Sequence, residues 1–146
     1  MTISSLMIKG ICVGIILPVY NAESTINRCL DSIFAQSYSN WKLYIINDCS
    51  TDHVVELINK YTDDPRIVLI NLSENKGVSY ARNYGLNIAD EDYISFIDSD
   101  DEWLPTKLSK QIRLLDQNTK IVLSNYFFIK SKKNKIISYY KDVLSI

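Results

Sequence analysis

The sequence predicts an α/β domain built on a mainly parallel sheet. Short apolar, β-branched runs at residues 11–17, 41–46, 67–70 and 93–97 alternate with segments whose apolar residues recur at helical spacing. Parallel strands need helical crossovers, so alternation over the first 120 residues selects such a sheet rather than a meander. Unusual residues collect at or shortly after the strand ends, at Pro18-Val19-Tyr20-Asn21, Asn47-Asp48, Asn75-Lys76-Gly77 and Asp98-Ser99-Asp100. In a parallel sheet those ends share one edge, the edge at which ligands bind.

In chain order, Pro18 is expected to stop the first strand, because it cannot donate to a ladder. Asn21 is the expected N-cap of a helix whose inner face carries Ile26, Leu30, Ile33 and Phe34. After the second strand, Asp52 is placed to cap a helix bearing Val54, Val55, Ile58 and Tyr61, which Asp63-Asp64-Pro65 ends. A third helix over residues 78–89 turns Val78, Ala81, Leu86 and Ala89 inward. Gly85 either weakens that helix or admits a close neighbour. Past the acidic cluster, Leu104, Leu108, Ile112 and Leu115 have helical spacing, with Pro105 in the first turn. Residues 121–129 and 136–140 read as two strands about a basic turn. The whole chain is expected to be one domain, residues 1–146.

Composition excludes several function classes. Of 146 residues, 47% are hydrophobic and the net charge is −1, so nothing global points to nucleic acid. Charge is uneven along the chain. Residues 1–100 hold 7 basic and 13 acidic side chains, and residues 101–146 hold 9 and 4. The basic end reads as a solvated surface before it reads as a membrane contact. Cys12, Cys29 and Cys49 have no metal-ligand spacing and are odd in number; with Cys12 in a strand-like run and Cys29 in an amphipathic segment, buried free thiols in a reducing compartment are expected. His53 is read as a helix-start residue. The apolar run at 11–17 is too short to span a bilayer.

The chemistry concentrates in Asp98-Ser99-Asp100-Asp101-Glu102, directly after an apolar strand. Carboxylates side by side repel unless a cation neutralises them, and hard oxygen ligands suit Mg²⁺ or Mn²⁺ shared with phosphates. An EF-hand loop is excluded, since Trp103 stands where the sixth-position Gly is needed and Ser109 where the twelfth-position Glu is needed.

Four stretches in order, residues 15–21, Asn47-Asp48-Cys49-Ser50-Thr51-Asp52, residues 75–83 and residues 98–103, resemble the signatures of family 2 glycosyltransferases. The resemblance runs from about residue 11 to residue 117. It implies the GT-A fold, a Rossmann-like α/β/α sandwich that holds a nucleotide-sugar through Mn²⁺ or Mg²⁺. Carried over by position, Pro18 and Tyr20 would flank the nucleoside, and Asp48 would accept from the base N–H with Arg82 and Asn75 near it. Asp98 would approach the ribose or the metal, Ser99 stands between the carboxylates, and Asp100 would ligate the metal. Glu23 is placed with the nucleotide-binding set, though an acid there also suits a helix first turn. The implied reaction is inverting transfer from a nucleotide-diphosphate sugar, a UDP-sugar first, to a saccharide or lipid-linked acceptor in cell-surface polysaccharide synthesis. A cytoplasmic enzyme working at the inner face of the membrane follows by the same analogy, and apolar surface left open without acceptor walls is expected to favour a homo-oligomer.

Two departures shape the expectation. The family commonly has Gly where this chain has Cys49, so that loop is expected to differ in shape. Family members also place the general base and acceptor region well past the acidic triplet, and neither Asp116 nor Asp142 has a motif for the role. The chain is therefore expected to be the donor-binding part, with the base beyond Ile146 and no transfer by these residues alone. A nucleotide-sugar-binding module without catalysis is the alternative. A phosphorylatable receiver domain lacks its acidic pair after strand one, and a dinucleotide oxidoreductase lacks its GxGxxG.

Overall fold

A computed structural model describes residues 10–115 and, beyond them, four short strands. The order is β1 (Val13–Val19), α1 (Ile26–Phe34), β2 (Trp41–Asn47), α2 (Val54–Asn59), β3 (Ile67–Asn71), α3 (Val78–Ile88), β4 (Tyr93–Phe96) and α4 (Lys107–Ile112). There follow β5 (Val122–Leu123), β6 (Tyr126–Lys130), β7 (Lys135–Tyr139) and β8 (Leu144–Ser145). The first four strands form one parallel sheet in the order β3-β2-β1-β4. β6 and β7 make an antiparallel hairpin, as expected, and β5 pairs with β8. The single strand expected at 121–129 is thus two strands, and the basic turn lies outside the described residues.

The sheet is covered on both faces because the strands are apolar on both. Odd positions of β1, Val13, Ile15, Leu17 and Val19, join Leu43 and Ile45 of β2 against α1, α2 and α4. On the opposite face Tyr44 and Ile46 meet Ala81 of α3. This is the three-layer α/β/α sandwich that the sequence implies.

Four expectations need correction. Pro18 does not stop β1; it lies within the strand, opposite Ile46. Residues of one parity in a strand direct their backbone groups to the same neighbour. Ile16 O accepts from Ile97 on the β4 side, whereas Val19 O accepts from Asp48 on the β2 side. Pro18 shares the parity of Ile16, so its missing N–H faces beyond the end of β4, where no ladder bond is lost. Asn21 is not an N-cap: α1 starts at Ile26 after Thr25. Val78 and Leu86 are exposed, and Ala81 with Gly85 forms the buried face of α3 instead. Cys12 is half-buried and precedes β1, while Cys29 is buried as expected; all three thiols are free.

Gly85 admits a close neighbour. A Cβ there would lie 2.6 Å from Ile16 Cγ2, an atom next to the backbone of a fully buried side chain. Gly85→Ala should destabilise the fold by about 1–3 kcal/mol through overpacking, even though alanine is the better helix former. A urea melt checks this; an unchanged midpoint would mean that α3 can lift away freely.

Candidate functional site

The order of strands reverses between β1 and β4, since the chain winds outward through β2 and β3 and then returns to the other side of β1. A cleft of about 210 Å³ opens at that reversal, lined by Pro18, Val19, Tyr20, Asp48, Val78, Asp98, Ser99 and Asp100. Such a switch point is where two crossovers diverge and leave a crevice. Six of the nine site residues expected from sequence line it. Val78 was missed, because a valine at helical spacing reads as core.

Asp48 follows β2 and is 2% exposed. Its Oδ1 accepts the Lys76 N–H at 2.8 Å and its Oδ2 accepts the Gly77 N–H at 2.7 Å. Asn75 Nδ2 donates to the Asp48 carbonyl at 3.2 Å. The Asn75–Gly77 loop, and with it the start of α3, therefore hangs from Asp48. Each carboxylate oxygen keeps a lone pair for a further donor. Asn75 does not line the cleft; it holds Asp48. Gly77 sits at φ 86° with open space around it, so backbone conformation is what requires glycine there.

Glu23 also lies away from the cleft. Its Oε2 accepts the His53 N–H at 3.3 Å, and Asp52 Oδ2 accepts the Glu23 N–H at 2.9 Å. Asp52 Oδ1 accepts from Val54 at the start of α2. Glu23 thus serves the N-terminus of α2, not the first turn of α1. Asn21 belongs to the same lacing, with its Oδ1 on the Thr51 N–H at 2.8 Å and its own N–H on Ser50 Oγ at 3.0 Å. These bonds tie the loop after β1 to the loop after β2, fixing two walls of the cleft together. His53 is the N-cap of α2, and the Glu56 carboxylate beside it raises its pKa.

Cys49 stands where the family commonly has Gly. It adopts φ 59°, the left-handed conformation that glycine takes at no cost. For an L-residue this conformation costs about 1–2 kcal/mol. Cys49→Gly should stabilise the chain by about 1 kcal/mol, once the greater flexibility of unfolded glycine is offset. Thermal unfolding tests this; a lowered midpoint would show that the thiol contact near the Ser73 carbonyl outweighs the strain.

Arg82 of α3 does not line the cleft either; it reaches the cleft-lining Asp98, with Nη2 2.5 Å from Oδ1. Arg82 Nε is buried and has no hydrogen-bond partner among the described residues. Asp100 is exposed and makes no side-chain hydrogen bond or ion pair among them. Burial raises the pKa of Asp101, and the charges of Asp100 and Asp98 raise it further. Negative charge is therefore crowded here without enough positive charge to match it. No group of three or more His, Cys, Asp or Glu among the described residues is disposed to hold a metal. The donor set that fits a cation is Asp100 with Asp98, two carboxylates needing oxygens from elsewhere to complete a shell.

Below this loop Lys107 is folded back under Trp103, its Nζ 3.8 Å from the ring centroid and hydrogen-bonded to Ser95 Oγ and Gln111 Oε1. Burial pushes its pKa down to about 8. Between that value and the ordinary 10.5, the unfolded chain holds a proton that the folded chain has shed. Stability should therefore rise with pH through that window, the penalty being full below it. Lys107→Met should remove the slope and stabilise the fold at pH 7 by about 1–2 kcal/mol, the ring contact offsetting the rest. Urea melts at pH 7 and pH 9.5 decide it; an unchanged slope would contradict the assignment.

Comparison with known proteins identifies the family. The pattern of Glycosyl transferase family 2 matches residues 14–142. An uncharacterised glycosyltransferase of Haemophilus influenzae is 43% identical over 126 residues, covering 85% of this chain and 50% of that protein. The Escherichia coli UDP-Glc:alpha-D-GlcNAc-diphosphoundecaprenol beta-1,3-glucosyltransferase WfaP is 40% identical, covering 81% of this chain and 47% of that protein. Among solved structures, S. aureus TarS 1–349 in complex with UDP aligns with TM-score 0.64 at 29% identity, covering 67% of this chain and 30% of that chain. This chain spans about half the length of those two relatives. With the family pattern matched over most of its length, the chain belongs to glycosyl transferase family 2.

Proposed function

We propose that the cleft binds the nucleoside diphosphate of a sugar donor, a UDP-sugar first, together with Mn²⁺ or Mg²⁺, and serves transfer of the sugar to a saccharide or lipid-linked acceptor. One observation carries this reading: a single cleft of about 210 Å³ is lined both by Pro18, Tyr20 and Asp48 and by the carboxylates of Asp98 and Asp100. Tyr20, 51% exposed, offers an aromatic face to a planar base. The free lone pairs of Asp48 accept from a base N–H, and buried surroundings sharpen that discrimination. Asp98 and Asp100 fit a divalent ion whose remaining ligands are diphosphate oxygens. Arg82, paired with Asp98 beside the cleft, brings positive charge near the same anion. When bound, such an ion stabilises the negative charge that develops on the departing diphosphate.

Inversion at the anomeric carbon requires in-line attack by an acceptor hydroxyl that a base deprotonates. Asp116 and Asp142, weighed for that role, lie outside the described residues. The relatives support the substrate class: WfaP is named for UDP-Glc and a diphosphoundecaprenol acceptor, and TarS is solved with UDP and with UDP-GlcNAc. We read the inner face of the cytoplasmic membrane as the place of work, a reading that an acceptor of that lipid-linked kind would support.

A radiolabelled-donor assay tests the reading. Metal-dependent release or transfer of sugar from a UDP-sugar is the expected result for a catalytic donor site. Metal-dependent UDP binding with no release would favour the non-catalytic binding module.

A further inference from the structure

Helix α1 contributes no residue to the cleft, yet one edge of it is polar and grips the backbone of the acidic loop. Arg28 Nη2 donates to the Asp100 carbonyl at 3.1 Å, while its Nε lies 3.3 Å from Glu102 Oε1. Cys29 Sγ approaches the Asp98 carbonyl at 3.6 Å. One turn on, Ser32 Oγ accepts the Trp103 N–H at 3.1 Å and donates to the Cys29 carbonyl at 2.7 Å. Past the end of α1, Gln36 donates to the Leu104 carbonyl at 2.8 Å and accepts the Leu108 N–H at 3.1 Å. Positions 28, 32 and 36 follow the four-residue repeat that lines up one helix edge.

These contacts touch Asp98, Asp100, Trp103, Leu104 and Leu108, the whole path from the first carboxylate to α4. All but the exposed Arg28–Glu102 pair go to backbone groups, which leaves the carboxylates of Asp98 and Asp100 turned to other uses. Gln36 is only 7% exposed, and a buried amide is costly unless its hydrogen bonds are made, as they are here. Two neighbouring carboxylates repel each other until a cation arrives. A loop carrying them binds the cation well only if its backbone is already held, because ordering it on binding would cost affinity.

We propose that Arg28, Ser32 and Gln36 are positioning residues. They make α1 a rail that fixes the loop backbone and thereby the placement of Asp98 and Asp100 for a cation–diphosphate ligand. The proposal rests on the donor-site reading above.

The test uses the double variant Arg28→Met with Ser32→Ala, leaving the buried Gln36 intact so that the fold survives. Amide hydrogen exchange without ligand reads the loop, and calorimetry reads affinity for UDP with Mn²⁺ and for uridine. Exchange across residues 98–104 should accelerate at least about tenfold while the amides of β1 and β2 keep their protection. UDP·Mn²⁺ affinity should fall about fivefold or more with uridine affinity within about twofold of wild type. The conservative pair Arg28→Lys with Ser32→Thr should restore both. Unchanged loop exchange overturns the proposal, and so does a loosened loop that leaves UDP·Mn²⁺ affinity intact. A parallel fall in uridine affinity overturns it too, since that is the mark of a merely structural role. Wild-type protein that bound no UDP with Mn²⁺ would sink the donor-site reading and the ligand part of this proposal. The exchange arm would still decide on its own whether α1 holds the loop.

Discussion

Asp48→Ala should cost the chain about 3 kcal/mol of stability and its affinity for nucleoside and nucleotide alike. A hydrogen bond to a charged group contributes about 1.5–3 kcal/mol, and Asp48 accepts two, from Lys76 and Gly77. Alanine leaves both N–H groups unpaired at a position that is almost wholly buried. The start of α3 then loses its anchor, and Val78, which lines the cleft from that helix, moves with it. Uridine and UDP should weaken together because the damage falls on the base end of the cleft. Urea melts paired with calorimetry check both halves. Stability and uridine affinity at wild-type levels would remove Asp48 from the site.

Asp100→Asn should behave in the opposite way, leaving the fold intact and removing the metal dependence of UDP binding. Its side chain is exposed and makes no side-chain hydrogen bond or ion pair among the described residues, so little stability depends on it. Asparagine keeps the shape but loses the charge and one acceptor oxygen that a hard cation requires. UDP·Mn²⁺ affinity should drop at least about tenfold, with uridine affinity unchanged. Asp98→Asn is a harder change to read, because Asp98 is also the partner of Arg82. If Asp100→Asn retained the full effect of Mn²⁺ on UDP binding, the cation would have to sit elsewhere. On the proposed donor-site reading, the contrast between the two variants would divide the cleft into a base end that is structural as well as recognitive and a phosphate end.

The main outline of the fold was legible because strands and helices here obey period and length rules without conflict. β2 and β3 lie within a residue of where apolar runs place them, and α1 buries Ile26, Leu30 and Ile33 as their spacing requires. The misreadings have local causes. Pro18 misled because the rule against proline in strands ignores where the neighbouring strand ends. Helical spacing points Val78 and Leu86 to the core, but periodicity cannot tell a core face from an exposed or cleft-lining one. The real packing face of α3 is built from Ala81 and Gly85, whose small size lets the helix lie against Ile16.

The cleft was legible because its residues end strands, and topology then brings strand ends together. What composition and spacing could not give is the division of labour among polar residues. Glu23 and Asn75 sit in suggestive motifs, yet they lace loops and hold Asp48. The reverse holds for Arg28, Ser32 and Gln36, which belong to none of the motifs and whose partners stand some seventy residues away. Contacts of that range leave no short-range pattern. Only the folded chain shows that a polar helix edge is aimed at a backbone.

The measurement that bears most directly on the central claim is calorimetric titration of the wild-type chain with UDP, first with Mn²⁺ and then with EDTA, and with uridine under both conditions. The cleft described here predicts UDP affinity at least about tenfold higher with the metal, and uridine affinity the same in both, because the carboxylates act through the diphosphate alone. Equal UDP affinity with and without metal would contradict it.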